Sequence, residues 1–351
     1  MSASKAKFFS CLTPIMTVCR GLSAALSMSP KKTGPGGQRT GLQDIPIWRH
    51  SVFLLKASSR GARAASLALF LTTLPLAAPA KAFEPEPLAS AITNMEQREG
   101  ARIGVSVLDT QSGDVFNHRG DERFPLNSTF KAFACGALLQ KAQNGGIDLD
   151  ARRPVSEQEV VSWSPVTEKQ IGAPGLTFRE HCKASLEWSD NTAANVVLEA
   201  VGGPKAMTQV LRTFGDTTTR IDRFEPDANI QPEGEVRDTT TPKAALQSFK
   251  TFVADGVLSG GVHADYLDWM KSGQVTGALL RPHLPEAWEI ADRSGAGRDK
   301  TRSVIAAIWP PESAPVYVAI YIDLEAGASM QRRNEMIAEL AQTLFQGLKT
   351  P

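Results

Sequence analysis

The sequence predicts an α+β protein in which an antiparallel sheet, built from both ends of the globular part of the chain, carries flanking helices beside a mostly helical region. Three observations lead to this class. A hairpin pattern follows a short helix near residue 100, two apolar runs and a helix come near the C-terminus, and the stretch between them has no strand pattern. The sheet and the helical region should therefore meet at a cleft.

The first elements of the globular part are a helix and a hairpin. Residues 85–98 form a candidate amphipathic helix, and Ile103, Val105 and Val107 then alternate with smaller or outward residues, as in a strand. A turn at 111–114 and a second short strand ending at His118 complete the hairpin signature.

The last elements are two strands and a helix. The runs 302–309 and 316–322 are almost continuously apolar, which indicates strands covered on both faces. Residues 330–348 repeat apolar side chains at helical spacing. We expect these segments to join the N-terminal hairpin in one sheet.

The middle is rich in helices and loops. Residues 129–143 predict a helix that is stopped by Gly145 and Gly146. The stretch 224–238 has no periodicity, and a long loop inside a compact domain is usually functional. The predicted division of residues 83–351 is an α/β part at 83–124 and 286–351 and a helical part at 125–285.

The net charge of +1 averages two unlike segments. Residues 1–82 hold eleven Lys and Arg but one acid, Asp44, whereas residues 83–351 hold 27 bases and 36 acids. An acidic body argues against nucleic acid as a partner, because such proteins need a basic face.

The basic leader resembles an export signal. Arg60 and Arg63 precede the uncharged run 64–80, and Ala80-Lys81-Ala82 then offers small residues to a signal peptidase. A transmembrane anchor is the alternative, but the apolar core is short and contains two prolines. We predict cleavage near Ala82, a periplasmic protein and no membrane attachment after processing. Residues 1–50 lie unusually far upstream, and we hypothesise that translation starts near Val52.

Two cysteines, Cys135 and Cys182, remain in the body. In an exported protein a pair suggests one disulfide, and two buried free thiols are the alternative.

Ser128-Thr129-Phe130-Lys131 is the first candidate for chemistry. At a helix start, Ser128 and Lys131 lie one turn apart on one face. A serine hydroxyl needs a base to become a nucleophile, and a lysine of lowered pKa can help. The helix N-terminus adds partial positive charge where an oxyanion would form. Alone the motif is weak, because a lysine three residues after a serine is common.

Two further motifs follow. Ser189-Asp190-Asn191 precedes an apolar helical run, and Arg293-Ser294-Gly295 follows residues 288–291, which look like a strand. Lys271-Ser272-Gly273 is a competing match that follows a helix end, so we interpret Lys271 as a solvated lysine. An edge strand that carries Arg293 beside a cleft could offer both side chains and a backbone N–H to a substrate.

These three motifs in this order resemble those of the class A serine β-lactamases, and the resemblance covers residues 85–350. It implies a β-lactamase/transpeptidase-like fold. Other positions match too: Glu225 and Asn229 in an Ω-loop element, Arg223 and Asp238 where an ion pair closes that loop, Trp163 in an aromatic gatekeeper segment, and Cys135 and Cys182 as the disulfide of many members.

Some positions depart from the common pattern. Arg293 stands where most members carry lysine, as in the carbenicillin-hydrolysing branch, and arginine can fork onto a carboxylate. Ala228 stands where leucine is common, which we expect to loosen packing. Asn127 and Gly297 occupy positions where certain serine carbapenemases carry a second cysteine pair.

The resemblance implies a two-step hydrolysis. Ser128 attacks the β-lactam carbonyl, and the backbone N–H groups of Ser128 and Ala296 form the oxyanion hole. Either Lys131 or Glu225 through a water accepts the proton. Ser189 passes a proton to the departing nitrogen, and Glu225 with Asn229 activates the deacylating water. The remaining contacts implied for the substrate are Asn191 with its side-chain amide, Trp163 as gatekeeper, and Arg293, Ser294, Gly295 and Arg302 with its carboxylate.

We expect no cofactor, since the five histidines form no H-x-H or H-E-x-x-H metal set. A small-molecule β-lactam is the expected partner, and the chain is expected to be a monomer.

Two other functions share part of this pattern. A D-Ala-D-Ala peptidase or transpeptidase would acylate but lack a positioned deacylating glutamate. A β-lactam-sensing domain would stay acylated, and such sensors normally hang from transmembrane helices. The element at 224–229 favours the hydrolase.

Overall fold

The computed structural model describes residues 83–230, 232, 234–298 and 300–348. The predicted leader and signal peptide, residues 1–82, lie outside the described residues. In chain order the helices and strands are α1 (Glu86–Glu99), β1 (Ala101–Asp109), β2 (Val115–His118), β3 (Phe124–Pro125), α2 (Phe130–Gln143), β4 (Arg152–Arg153), β5 (Leu176–Thr177), α3 (Phe178–Glu187), α4 (Asn191–Val201), α5 (Pro204–Thr213), β6 (Thr239–Thr240), α6 (Pro242–Ala254), α7 (Gly260–Lys271), β7 (Glu289–Ala296), β8 (Thr301–Trp309), β9 (Val316–Leu324) and α8 (Met330–Gly347).

The main sheet joins the two ends of this part of the chain. Its strands lie in the order β2-β1-β9-β8-β7, and every neighbouring pair is antiparallel. Val105 of β1 pairs with Ile320 of β9, although 215 positions separate them along the sequence. The predicted fold class is confirmed, and β7 lies at the edge of the sheet, as its place beside a cleft requires.

The apolar runs at β8 and β9 are explained by burial on both sides of the sheet. Successive strand residues point to opposite faces. In β8, Val304, Ala306 and Ile308 join the core cluster that includes residues of α1 and α8. Ile305 and Ala307 instead join the cluster formed with the helical part.

Helix α2 lies inside the helical part of the protein. All its residues from Phe130 to Leu139 are buried, as expected for a helix that is apolar or small on nearly all sides. A disulfide joins Cys135 of α2 to Cys182 of α3, whose Cα atoms are 5.5 Å apart. It anchors the helix that begins beside Ser128 to its neighbour.

The middle of the chain differs from expectation in one respect. No strand was predicted there, but β4 pairs with β5, and β6 pairs with β3. Each of these strands has two residues, which is too short to produce an alternating pattern in the sequence. The stretch predicted to be structureless also contains a 3₁₀ turn, Asp227–Asn229.

Among the described residues, none of the helices is long and apolar enough to cross a membrane.

Candidate active site

A cavity of about 690 Å³ opens between the edge strand β7 and the helical part. It is lined by residues from eight separate stretches of the chain: Ser128; Ser162 and Trp163; Ser189 and Asn191; Pro226, Asn229 and Ile230; Val275; Ser294, Gly295, Ala296, Gly297 and Arg298; Arg302; and Met330 and Asn334. Most residues singled out in the sequence motifs are therefore brought to one place.

Ser128 lies in the 3₁₀ turn Asn127–Thr129, which runs directly into α2. Its side chain is nearly buried, at 8% exposure, and it borders the cavity. Lys131 is wholly buried in the first turn of α2. The helix start places the serine at the cavity surface and the lysine behind it, as the S-x-x-K spacing predicts.

The ammonium of Lys131 is held by neighbours from two other segments. Its Nζ donates to the backbone oxygen of Ser189 at 2.8 Å, to Ser189 Oγ at 3.3 Å and to Asn191 Oδ1 at 2.5 Å. It also forms an ion pair with Glu225 Oε1 at 3.5 Å. Burial lowers the pKa of Lys131 to about 8, against the opposing pull of the Glu225 carboxylate. A neutral amine is therefore accessible near neutral pH.

Ser189 lies between two cations. Besides its contact with Lys131, its Oγ accepts a hydrogen bond from Nη2 of Arg293 on β7. Ser189 has a left-handed backbone, with φ of 60°, and this conformation turns the chain just before α4. The hydroxyl of Ser189 thus connects Lys131, which lies behind Ser128, with Arg293 of the edge strand.

Arg293 is fully buried, although most arginines in proteins are exposed. Burial, and secondarily the nearby Arg302, lowers the pKa of Arg293 to about 9. The preceding residue, Asp292, is also buried and pairs with Arg281 at 2.7 Å. That pairing leaves the guanidinium of Arg293 without a carboxylate of its own among the described ion pairs.

Arg302 lies on β8, opposite Ala296 of β7. Its Nε donates to Asn334 Oδ1 at 2.8 Å and its Nη1 to the backbone oxygen of Gly295 at 2.9 Å. Burial lowers its pKa to about 10. Two buried arginines with neutral partners make this end of the cavity attractive to an anion.

Glu225 lies at the start of the loop opposite. Its Oε2 accepts a hydrogen bond from Asn229 Nδ2, and its Oε1 accepts none within the described part of the chain. Asn195 of α4 holds the backbone of Glu225 in both directions, accepting from its N–H at 2.8 Å and donating to its oxygen at 2.9 Å. The carboxylate therefore has a fixed position, and its second oxygen is buried 3.5 Å from the ammonium of Lys131 without a hydrogen bond among the described residues.

An ion pair closes this loop, as the sequence predicts. Arg223 Nε lies 2.5 Å from Asp238 Oδ2. Asp238 also accepts from the backbone N–H groups of Asp222 and Arg223 at 2.7 and 3.0 Å. Arg223 reaches across the loop to the oxygen of Ile230.

Asp190, at the centre of the second motif, anchors the segment of Trp163. Its carboxylate caps α4 through Ala193 N–H and accepts from Val166 N–H, Thr167 N–H and Thr167 Oγ1, all within 2.9 Å. Trp163 is 63% exposed. A rigid base thus holds an exposed aromatic side chain at the mouth of the cavity.

The geometry described so far matches a known family. The sequence model described as "Beta-lactamase enzyme family" matches residues 87–348. The chain belongs to this family.

Named relatives of this β-lactamase include β-lactamase AER-1 of Aeromonas hydrophila, 42% identical over 266 residues that cover 76% of the chain and 87% of the relative. β-Lactamase PSE-4 of Pseudomonas aeruginosa is 46% identical over 245 residues, 70% of the chain and 84% of the relative. Among solved structures, the last common ancestor of Gram-negative bacteria β-lactamase class A superposes with a TM-score of 0.72 at 42% identity, covering 75% of the chain and 99% of that protein. The chromosome-encoded β-lactamase of Vibrio parahaemolyticus gives 0.72 at 41%, with the same coverage.

The prediction of a class A serine β-lactamase is confirmed by these comparisons. The protein is a hydrolase that opens β-lactam rings, and the family works through a serine acyl-enzyme.

Sequence reasoning missed several residues of the β-lactamase site. Asn195 holds the backbone of Glu225, and Arg281 pairs with Asp292. Neither residue lies in a sequence motif that would indicate this contact. Met330 and Asn334 line the cavity from the start of α8, whose sequence reveals only its apolar face. Arg298, which follows the third motif, is exposed and also borders the cavity.

The competing motif at Lys271 is placed elsewhere. Lys271 ends α7, and its Nζ forms an ion pair with Glu289 at 2.5 Å. Neither Lys271 nor Ser272 lines the cavity, in agreement with the interpretation of Lys271 as a solvated lysine.

Proposed function

We propose that the protein hydrolyses penicillin-type β-lactams through an acyl-enzyme on Ser128, which a water activated by Glu225 releases. One observation carries the proposal: Ser128 and Ser189 line one cavity from separate segments, and the buried Lys131 contacts both Ser189 and Glu225. Two buried arginines, Arg293 and Arg302, lie on the adjoining strands. No step needs a cofactor.

In acylation, Ser128 Oγ attacks the lactam carbonyl and its proton passes to a base. Two routes are available: a neutral Lys131, or Glu225 through a water. The developing oxyanion would be held by the backbone N–H groups of Ser128 and Ala296, both of which border the cavity. Ser189, in contact with Lys131, would hand a proton to the nitrogen as the ring bond breaks.

In deacylation, Glu225 takes a proton from water while that water attacks the ester, and this proton returns to Ser128 Oγ as the acyl–oxygen bond breaks. Its Oε1 is buried 3.5 Å from Lys131 and accepts no hydrogen bond from the described residues, and the amide of Asn229 fixes the other oxygen. A carboxylate that is held at one oxygen and open at the other suits a general base.

The substrate carboxylate would bind where Arg293, Arg302 and Ser294 meet. Neither Arg293 nor Arg302 has a carboxylate partner among the described ion pairs, so the carboxylate of an anionic substrate could pair with them. Asn191 would contact the side-chain amide of the substrate, and Gly295 lets the edge strand approach closely. Trp163 would cover the opposite rim.

Turnover of benzylpenicillin by the purified protein tests the function against its alternatives. We expect many molecules hydrolysed per enzyme and no release of D-alanine from a D-Ala-D-Ala peptide. One equivalent consumed per protein would indicate a sensor, and peptide cleavage without lactam turnover would indicate a peptidase.

We expect Arg293→Lys to lower kcat/KM for carbenicillin more than for benzylpenicillin. Lysine keeps the positive charge but lacks the planar guanidinium, whose paired N–H groups can donate to both oxygens of a carboxylate at once. The measurement is the ratio of the two kcat/KM values. Lys271→Arg, an exchange at a cation outside the cavity, is the control. If the ratio for Arg293→Lys equals that of the wild type, the carbenicillinase assignment loses its basis.

We expect the acylation rate to rise with pH towards a plateau above about 8, as Lys131 loses its proton. The Glu225 carboxylate raises the pKa of Lys131, so Glu225→Ala should shift the profile to lower pH. Stopped-flow acylation by nitrocefin between pH 6 and 9, roughly the range around this pKa, measures both curves. An unshifted or pH-independent profile would argue against Lys131 as the acylation base.

We also propose that the mature protein is an exported, periplasmic monomer that begins near Phe83. The basic, apolar leader that ends at Ala80-Lys81-Ala82 supports export, and a disulfide in the fold suits an oxidising compartment.

A further inference from the structure

We propose that Asn127 and Thr301 are positioning residues, whose buried hydrogen-bonded bridge fixes the turn after β7 against the turn that carries Ser128. The inference rests on the proposed function, in which the backbone N–H groups of Ser128 and Ala296 hold the oxyanion.

The bridge joins the neighbours of the two oxyanion donors. Asn127 precedes Ser128, and its Nδ2 donates to Thr301 Oγ1 at 2.9 Å. The same oxygen accepts the N–H of Gly297, which follows Ala296, at 2.9 Å. A hydroxyl oxygen has two acceptor positions. One buried atom therefore connects the residue before Ser128 with the residue after Ala296.

Two glycines let the edge strand approach this closely. A Cβ on Gly295 would lie 2.9 Å from Asn127 Cβ and 3.0 Å from the backbone oxygen of Leu126. A Cβ on Gly297 would lie 2.4 Å from Thr301 Oγ1 and 3.1 Å from Asn127 Oδ1. The strand thus touches the turn of the nucleophile on both sides of Ala296.

Arg333 holds the same turn from behind. Its Nη1 donates to the backbone oxygens of Gly297 at 2.7 Å and Thr301 at 2.8 Å, and its Nη2 to that of Arg298 at 2.9 Å. The turn is therefore fixed at its outer side by a buried arginine and at its inner side by Asn127 and Thr301.

The backbone and the buried amide of Asn127 indicate why an asparagine stands at this position. Its φ of 45° lies in the left-handed region, which asparagine tolerates better than most residues. Its Oδ1 is buried and accepts no hydrogen bond from the described residues. An apolar side chain would avoid the cost of that oxygen, so the donor Nδ2 is what distinguishes asparagine here.

Thr301→Val tests the inference, because valine keeps the shape and loses the hydroxyl. We expect kcat for nitrocefin to fall about 10- to 100-fold, since a displaced oxyanion donor costs rates of this order. KM should change less than about twofold, because Arg293 and Arg302 still bind the ground state. The Kd of phenylboronic acid, whose tetrahedral adduct on serine places an oxygen in the hole, should rise by a factor similar to the loss in kcat.

Two variants separate positioning from general stability. Thr301→Ser keeps the hydroxyl and should restore kcat and the boronic acid affinity. Thr219→Val removes another buried hydroxyl pair, with Thr240 at 2.7 Å and away from the cavity, and should leave both readouts unchanged. Asn127→Ala removes the donor at the other end of the bridge. The double variant Asn127→Ala/Thr301→Val should therefore have nearly the same kcat and boronic acid Kd as Asn127→Ala alone.

The inference is overturned if Thr301→Val keeps wild-type kcat and boronic acid affinity, or if Thr301→Ser fails to rescue either loss. It is also overturned if the losses of Asn127→Ala and Thr301→Val multiply, because then the two residues act independently. A turnover that survives in Ser128→Ala would instead remove the proposed function itself, so the two failures are distinguishable.

Discussion

Replacing Ser128 by alanine is expected to abolish the hydrolysis of nitrocefin and benzylpenicillin. Two other serines of the cavity are already engaged: Ser189 Oγ accepts from Lys131 and Arg293, and Ser294 Oγ lies 3.4 Å from the backbone oxygen of Val275. Without Ser128 no acyl-enzyme can form, and loss of a nucleophile costs roughly six orders of magnitude in kcat in a well-studied serine hydrolase. The measurement is the rate of absorbance change with nitrocefin at high enzyme concentration.

Ser185→Ala is the matched control for this variant. Ser185 is also buried, but it lies in α3 and its Oγ has no hydrogen-bond partner among the described residues. Removing that hydroxyl should leave turnover intact. Turnover by Ser128→Ala that exceeds a trace of wild-type contamination would assign the nucleophile to another residue.

Replacing Glu225 by alanine is expected to trap a covalent penicilloyl adduct on Ser128. The side chain is removed from the position next to Lys131 where the deacylating water would be activated, while Ser128, Lys131 and Ser189 remain in place to acylate. General-base assistance contributes typically 10²- to 10⁴-fold, so turnover should fall by at least about that range. Intact-protein mass spectrometry after a brief exposure to benzylpenicillin should show the added mass of the whole antibiotic.

The control for this variant is Asp227→Ala in the same loop. Asp227 is exposed, and none of its side-chain hydrogen bonds or ion pairs appears among the described contacts. That variant should turn over the substrate and accumulate no adduct. If Glu225→Ala also stays free of adduct while it still hydrolyses penicillin, deacylation does not depend on Glu225.

The elements with strong patterns could be predicted from the sequence. The apolar runs at β8 and β9 end within one or two residues of the observed strands, because burial on both faces leaves few polar positions along them. The two-residue strands β4, β5 and β6 were missed, since two residues form no period.

The site could be predicted where its residues occur in motifs and not where they act across the fold. The predicted loop closure by Arg223 and Asp238 is present, and the predicted pairing of Cys135 with Cys182 is formed. The support given by Asn195 depends on how α4 packs against the loop of Glu225. Residues of that kind carry no signal in their own sequence neighbourhood.

The order of the strands also determines when this enzyme can first act. Ser128, Lys131, Ser189 and Glu225 all precede residue 226 of the chain, whereas Arg293 and Arg302 lie on strands that come from its last 65 residues. The strand between the N-terminal hairpin and these two, β9, comes later still. A ribosome must therefore complete nearly the whole polypeptide before Ser128, Lys131, Ser189 and Glu225 can meet Arg293 and Arg302. The growing chain therefore carries the four proposed catalytic residues before the strand that borders their cavity has been made.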